Sequence, residues 1–289
     1  MRGDLLATRY FTGRISGMRF TKMHGLGNDF IVFDAPAEGA PEAATFRRLA
    51  DRFTGIGFDQ ALMLEPPRRP GTAVFYRIFN ADGREVEQCG NGARCIARYL
   101  RERDGVQDGE LVLDSPGGLV QTRMSGDQVS VTMGVPDFDP ASLPFEASGE
   151  AYVYPLIVGA SEVEIGAVSV GNPHAVIRVP AAADAPVARL GPAIENHPRF
   201  PKRTNVGFME VVDRGHIRLR VHERGTGETR ACGTGACAAV AVGRRHGLLD
   251  EKVRVDLPGG RLDIQWQGPG AVIWMTGPAV RAFEGEVTL

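Results

Sequence analysis

The 289-residue sequence predicts an α+β fold of two pseudo-symmetric domains that arose by tandem duplication, and three observations carry that prediction. The first is an internal match. Residues 76–100, YRIFNADGREVEQCGNGARCIARYL, align with residues 219–242, LRVHERGTGETRACGTGACAAVAV, placing Cys89 against Cys232 at a shift of 143 positions. At that shift Gly90 meets Gly233, Gly92 meets Gly235, Ala93 meets Ala236, Arg77 meets Arg220 and Glu85 meets Glu228. A residue or so off it, SPGGL at 115–119 meets LPGGR at 257–261, and Gly27-Asn28 meets Gly171-Asn172. A period this long, seen twice, implies two similar domains and not a solenoid. The second observation is length, which suffices for two domains with a core each. The third is that strand-like runs outnumber helical ones and mostly join through short turns, which favours α+β over a doubly wound sheet.

Taken in order, residues 1–17 read as an extension before a start near Met18, lacking the continuous apolar core of a signal peptide. Residues 18–33 read as strand, Gly-rich turn and strand, with HGLGND at 24–29 forming the turn and able to present Asn28 to a ligand. Helical spacing puts Phe46, Leu49, Ala50 and Phe53 on one face of a helix over 45–53. GIGFDQ at 55–60 leads into a strand at 61–64, PPRRPG at 66–71 is a surface loop, and a strand over 75–80 ends at Asn80. A helix follows Cys89 to about Arg103, stopping near Gly105, and strands at 111–114 and 119–124 flank the SPGG turn. The Pro-rich polar stretch 137–149 reads as a linker. Strands then recur at 152–157, 165–170, 175–179 and 205–212, with a short helix at 190–196. The last strands fall at 254–257, 262–266 and 272–276, before a tail. The expected division is a first domain over 18–135 and a second over 136–277.

Composition narrows the function. Hydrophobic content of 43% and charged content of 24% are those of a globular chain, and no apolar run approaches the ~18 residues that span a bilayer. A formal net charge of −2 provides no basic field for nucleic acid or an anionic membrane. Four cysteines in a chain of this length do not make a disulfide scaffold, and their place in copied helix starts points to reduced thiols in a cytoplasm.

Those helix starts carry the chemistry. Glycines beside Cys89 and Cys232 leave backbone N–H groups free, and the positive end of each helix adds to them. Such a start takes a carboxylate and favours thiolate over thiol, so both pKa values are expected below the ordinary thiol range. Taken singly, either stretch could be a turn with a packed cysteine; two copies at one shift favour function. Two thiols facing each other fit a transfer of a proton from one face of a carbon to the other, one sulfur as base and one as acid. N–H groups of Gly90, Asn91, Gly233 and Thr234 would hold the carboxylate on which charge builds, with no cofactor. The glycines form neither a phosphate loop nor a dinucleotide fingerprint. Neither Cys89 with Cys95 nor Cys232 with Cys237 has zinc-site spacing, and Cys95 and Cys237 read as core.

MHGLGNDF, GIGFDQ, FNADGREVEQCGNGARC, GNPHAV, ERGTGETRACGTGACAA and LPGGRL together resemble diaminopimelate epimerase, over nearly the whole chain from Met18. The resemblance implies a cofactor-independent two-base enzyme of the cytoplasm that interconverts LL- and meso-2,6-diaminopimelate for lysine and peptidoglycan synthesis. It implies strands wrapped about a central helix in each domain, with the tail 278–289 returning to the first. It makes Cys89 and Cys232 the acid/base pair and gives the reacting carboxylate to Gly90-Asn91 and Gly233-Thr234. Asn28, Gln60, Asn80, Asn172, Asn205, Glu223 and Arg224 would hold the substrate's ammonium and carboxylate groups, while His174 and Glu223 tune the thiols. It also implies a homodimer, although Phe283 stands where some members carry Tyr at the dimer contact. A proline-racemase-like enzyme and an amino-acid-binding protein without chemistry are the competing readings.

Overall fold

The computed structural model describes residues 17–86, 89–105 and 109–288. The expected extension over 1–17 therefore lies outside the described residues apart from Gly17. In the first half, β1 (Gly17–Gly25) and β2 (Asn28–Asp34) form a hairpin, followed by α1 (Ala43–Ala50). Strand β3 (Gln60–Glu65) runs parallel to β2, and β4 (Val74–Asn80) returns antiparallel beside it. The two-residue β5 (Glu85–Val86) precedes α2 (Gly90–Asp104), which ends at Gly105 in the left-handed conformation (φ 65°) that glycine adopts freely. A meander of β6 (Gly109–Ser115), β7 (Gly118–Ser125) and β8 (Gln128–Thr132) follows, with β6 parallel to β4.

The second half repeats this plan. After β9 (Tyr154–Val158) come β10 (Ser161–Ser169), β11 (Pro173–Arg178), α3 (Val187–Glu195), β12 (Asn205–Asp213), β13 (His216–Glu223) and β14 (Gly227–Thr229). Then follow α4 (Gly233–Arg245), β15 (Lys252–Leu257), β16 (Gly260–Gln265) and β17 (Trp274–Pro278), with β18 (Val280–Thr288) last. Each pairing of the first half has its counterpart: β11 is parallel to β12 and β13 to β15, as β2 is to β3 and β4 to β6. Side chains repeat too. Arg77 grips Glu85 through two bonds of 2.7 and 2.6 Å, and Arg220 grips Glu228 through two of 2.7 and 2.9 Å. The ion pairs sit at the sequence positions matched by the 143-residue shift.

Among the described residues, two strand pairings bind the halves and the tail together. Strands β8 and β17 pair antiparallel about Ser130↔Thr276, whose hydroxyls lie 2.7 Å apart. The tail is the strand β18, which runs back along β1 from Thr288 opposite Gly17 to Val280 opposite His24. One continuous apolar cluster includes Cys95, Ile96 and Leu100 of α2 and Ala236 to Val242 of α4, so both central helices sit inside a shared core. Small side chains make α4 almost wholly buried, as a helix wrapped by strands requires. Cys95 and Cys237 are fully buried there, as expected. Smaller clusters lie under α1, where Phe46 stacks on Phe79 with centroids 4.5 Å apart, and under α3.

Two expectations need correction. Phe53 is 97% exposed, because α1 ends at Ala50 and the Asp51 carboxylate caps a turn by accepting from the N–H groups of Phe53 and Thr54. The side chain is thereby rotated off the apolar face. The stretch 137–149 is packed and not a loose linker: Asp137 bridges to Ser169, Pro140–Ser142 forms a 3-10 turn, and Leu143 and Phe145 enter the second half's core.

Candidate active site

Helices α2 and α4 open at Cys89 and Cys232, each an extended N-cap residue whose carbonyl accepts the first helical bond, from Ala93 at 2.9 Å and Ala236 at 3.0 Å. The preceding N–H groups of each helix are thus left without helical partners. Both starts rest on one side chain. A Cβ at Gly90 would fall 2.6 Å from Cε of Met275, and one at Gly233 would fall 2.8 Å from its Sδ. The same Cβ at Gly233 would lie 3.3 Å from Asn91 Oδ1, so the two helix starts meet across the junction of the halves. A side chain at either position would have to push Met275 aside.

In the first half, Asn28 Nδ2 donates to Asp59 at 2.9 Å, which turns Oδ1 toward Asn91 Nδ2 at 3.1 Å and the Cys89 thiol at 4.0 Å. Gln60 Nε2 donates to Asn80 Oδ1 at 2.9 Å across the β3–β4 pair. In the second half, Cys232 Sγ accepts the Gly235 N–H at 3.3 Å and lies 3.5 Å from Thr234 Oγ1. Asn172 reaches Thr234 through Nδ2 at 3.5 Å, and its Oδ1 bonds His174 Nε2 at 3.0 Å. Asn205 donates to the Pro173 carbonyl and accepts the Arg224 N–H, both at 2.9 Å, while the Arg224 side chain donates to the Lys202 carbonyl. The Thr229 hydroxyl donates to Glu223.

Electrostatics differ from the sequence expectation. Burial pushes the Cys89 thiol up to about 11; the Glu223 charge adds to this, and the Gly92 and Asn91 N–H groups with Arg94 only partly oppose it. Burial and Glu223 together push Cys232 well above the ordinary thiol range, against Thr234 and the Gly235 N–H. Loss of water thus outweighs the helix-start donors. Glu223 is itself raised, chiefly by burial and further by the Asp59 charge, despite bonds from Thr229 and Cys232. His174 is lowered to about 3 by burial and the nearby Arg224 cation, so it is neutral at physiological pH and engages Asn172, not a thiol.

That shift has a testable consequence. A histidine whose folded value lies below its ordinary 6.5 contributes stability above 6.5 that is lost as pH falls toward 3. The His174→Gln variant should therefore lose less stability than the parent between pH 6.5 and 4.5, by up to about 1.4 kcal/mol per pH unit. Urea midpoints at the two pH values check this; parallel slopes for parent and variant contradict it.

Hydrogen bonds tie Asn28 to Asn91 and Cys89 at one helix start and Asn172 with His174 to Thr234 at the other, whereas Gln60 and Asn80 bond each other and Asn205 bonds Arg224. Three neighbours were missed. Asp59 orients Asn28, Thr229 bonds Glu223, and Met275 underlies both helix starts. Asp59 and Thr229 stand inside the quoted motifs, where a polar residue next to a ligand candidate was a usable signal; Met275 stands outside them.

The overall fold is that of a hydroxyproline epimerase from Agrobacterium vitis (TM-score 0.70, 17% identity, covering 94% of this chain and 93% of that one). It is likewise that of a probable proline racemase from Agrobacterium radiobacter K84 (TM-score 0.67, 18% identity, 94% and 93% covered). The duplicated chain of this fold presents a cysteine at each of two meeting helix starts, and its sequence relatives place it among the isomerases, as an epimerase. The family model for diaminopimelate epimerase matches residues 20–138 and 166–282. Diaminopimelate epimerases from Stutzerimonas stutzeri and Nitrosomonas europaea are 54% and 56% identical, each over 94% of this chain and 99% of its own length. The chain belongs to the diaminopimelate epimerase family.

Proposed function

We propose that the protein interconverts LL- and meso-2,6-diaminopimelate without a cofactor, in the cytoplasm, for lysine and peptidoglycan synthesis. Cys89 and Cys232 act as base and acid on opposite faces of one α-carbon. The observation that carries this reading is the meeting of two cysteine-bearing helix starts over a single methionine, one from each duplicated half. One thiolate takes the α-proton, the electron pair passes into the adjoining carboxylate, and the other thiol gives its proton to the opposite face. The N–H groups of Gly90, Asn91, Gly233 and Thr234 hold that carboxylate as its charge grows.

Asn28, Gln60 and Asn80 from one half, with Asn172, Asn205, Glu223 and Arg224 from the other, bind the remaining polar groups. Support comes from Gln60 Oε1 and Asn91 Oδ1, buried acceptors without a partner among the described residues and so able to receive N–H donors. Glu223 acts on both thiols through its charge and on Cys232 also through a hydrogen bond, and His174 acts through Asn172. An arriving substrate ammonium brings positive charge into the cleft, which favours ionised sulfur and offsets the burial that raises both thiols. The reading keeps the division at 135/136 with the tail from 278 added to the first half, as the β1–β18 pair supports. It also includes a homodimer, supported by the exposed Phe283 and Val280 on β18.

The test is incubation of LL-diaminopimelate with the purified protein alone, followed by chiral chromatography. Appearance of the meso isomer without added cofactor is expected. Turnover of proline or hydroxyproline with none of diaminopimelate selects the proline-racemase-like alternative, and binding without turnover of either selects the non-catalytic one.

A further inference from the structure

Arg94 lies in the second turn of α2, five residues beyond Cys89, with its side chain fully buried. Its Nε donates to the Pro278 carbonyl at 3.4 Å, Nη1 lies 3.5 Å from Met275 Sδ, and Nη2 has no hydrogen-bond partner among the described residues. It is wedged between backbones. A Cβ at Gly25 would fall 2.9 Å from Nη2, and one at Gly277 would fall 3.5 Å from Cζ, so glycines in the Asn28 hairpin and in β17 make the room. Among the described residues no carboxylate bonds the guanidinium, and withdrawing an unpaired cation from water is strongly unfavourable. Packing does not demand it: the matching position in the second half is Cys237, equally buried in α4. The ionisable groups that feel the Arg94 charge are the thiols of Cys95, Cys89 and Cys237. Two of these are sealed in the core, and Cys89 alone keeps partial exposure.

We propose that the anion Arg94 is built to neutralise is the thiolate of Cys89, making this arginine the positioning residue that sets Cys89 as the first of the two sulfurs to ionise. Glu223 stands against both sulfurs, but Arg94 offsets it at Cys89 alone, so the two halves, alike in backbone, differ in charge around their sulfurs. The inference rests on the acid/base reading of Cys89 and Cys232, but its test does not require turnover.

In a Cys232→Ser background, the rate of Cys89 alkylation by iodoacetamide is followed at one fixed alkaline pH below the thiol's titration, where the rate tracks the thiolate fraction, by peptide mass spectrometry. Arg94→Met is expected to slow it by a factor of about 4–10, and Arg94→Lys to leave it close to the parent. In a Cys89→Ser background, Arg94→Met should leave the Cys232 rate in place. An unchanged Cys89 rate in folded Arg94→Met, or an equal slowing at Cys232, overturns the proposal. Should Arg94→Met not fold, melting temperatures with Arg94 intact decide. Cys89→Asp should melt at or above Cys89→Asn, while Cys232→Asp melts below Cys232→Asn; equal losses at both positions overturn the proposal. Because both experiments read charge at sulfur, an Arg94 effect without epimerisation separates failure of the proposed function from failure of this inference.

Discussion

Cys89→Ala and Cys232→Ala are each expected to lower kcat/KM for LL-diaminopimelate by a factor on the order of 10⁴, with the fold intact. One acid/base group cannot reach both faces of a tetrahedral carbon, so the loss of either thiol should remove nearly all turnover. The structure gives reason to expect folded variants. Cys89 meets Asn28 at 4.0 Å and the Gly92 and Asn91 N–H groups, and Cys232 gives up one sulfur acceptor to the Gly235 N–H. Loss of that cap should cost about 1 kcal/mol at Cys232 and less at Cys89. Circular dichroism establishes the fold and steady-state kinetics the loss; near-normal turnover by either folded variant removes that cysteine from the mechanism.

Gly90→Ala and Gly233→Ala should each cost roughly 10²–10³ in kcat. A Cβ at position 90 would lie 2.4 Å from Met133 Sδ, and one at 233 would lie 2.8 Å from Met275 Sδ. Both obstacles are ends of flexible side chains, so the core can yield at a cost of about 1–3 kcal/mol. The N–H groups proposed to hold the carboxylate would be displaced in doing so, and on that reading they act only when correctly placed. The combination Gly233→Ala with Met275→Ala should recover part of the rate, because it returns the space. Unchanged kcat in the single variants, with melting temperatures lowered as expected, would detach the helix starts from the chemistry.

Much of this arrangement was legible in the sequence because duplication writes each feature twice. The Arg77–Glu85 and Arg220–Glu228 matches are conserved between the halves as conserved ion pairs, and the glycine-flanked cysteines are two helix starts. What escaped the sequence depends on distance through space. The ionisation of Cys89 and Cys232 was expected to be eased, since flanking glycines advertise N–H donors while nothing local advertises the depth of burial. That depth comes from strands of both halves closing over α2 and α4, and it reverses the sign. The tail could not be placed on β1 from pattern alone, because β18 is mostly exposed and carries no strong alternation. Phe53 shows the complementary error: helical spacing continued on paper past the residue where Asp51 ends the helix. Arg94 lay in plain view as a cation among small buried positions, in the one place where the second copy has Cys237.

The most direct test of two-base chemistry is the origin of the product's α-proton. Epimerisation of LL-diaminopimelate is run in D₂O to low conversion, and the LL and meso isomers are separated and weighed by mass spectrometry. A thiol on the delivering face has exchanged with solvent before substrate arrives, whereas the proton taken from the substrate stays on the opposite sulfur. The account predicts that nearly all early meso product carries α-deuterium while the remaining LL substrate is almost unlabelled. Early product that keeps its α-protium, or substrate that gains label as fast as product, would contradict the assignment of Cys89 and Cys232 to opposite faces.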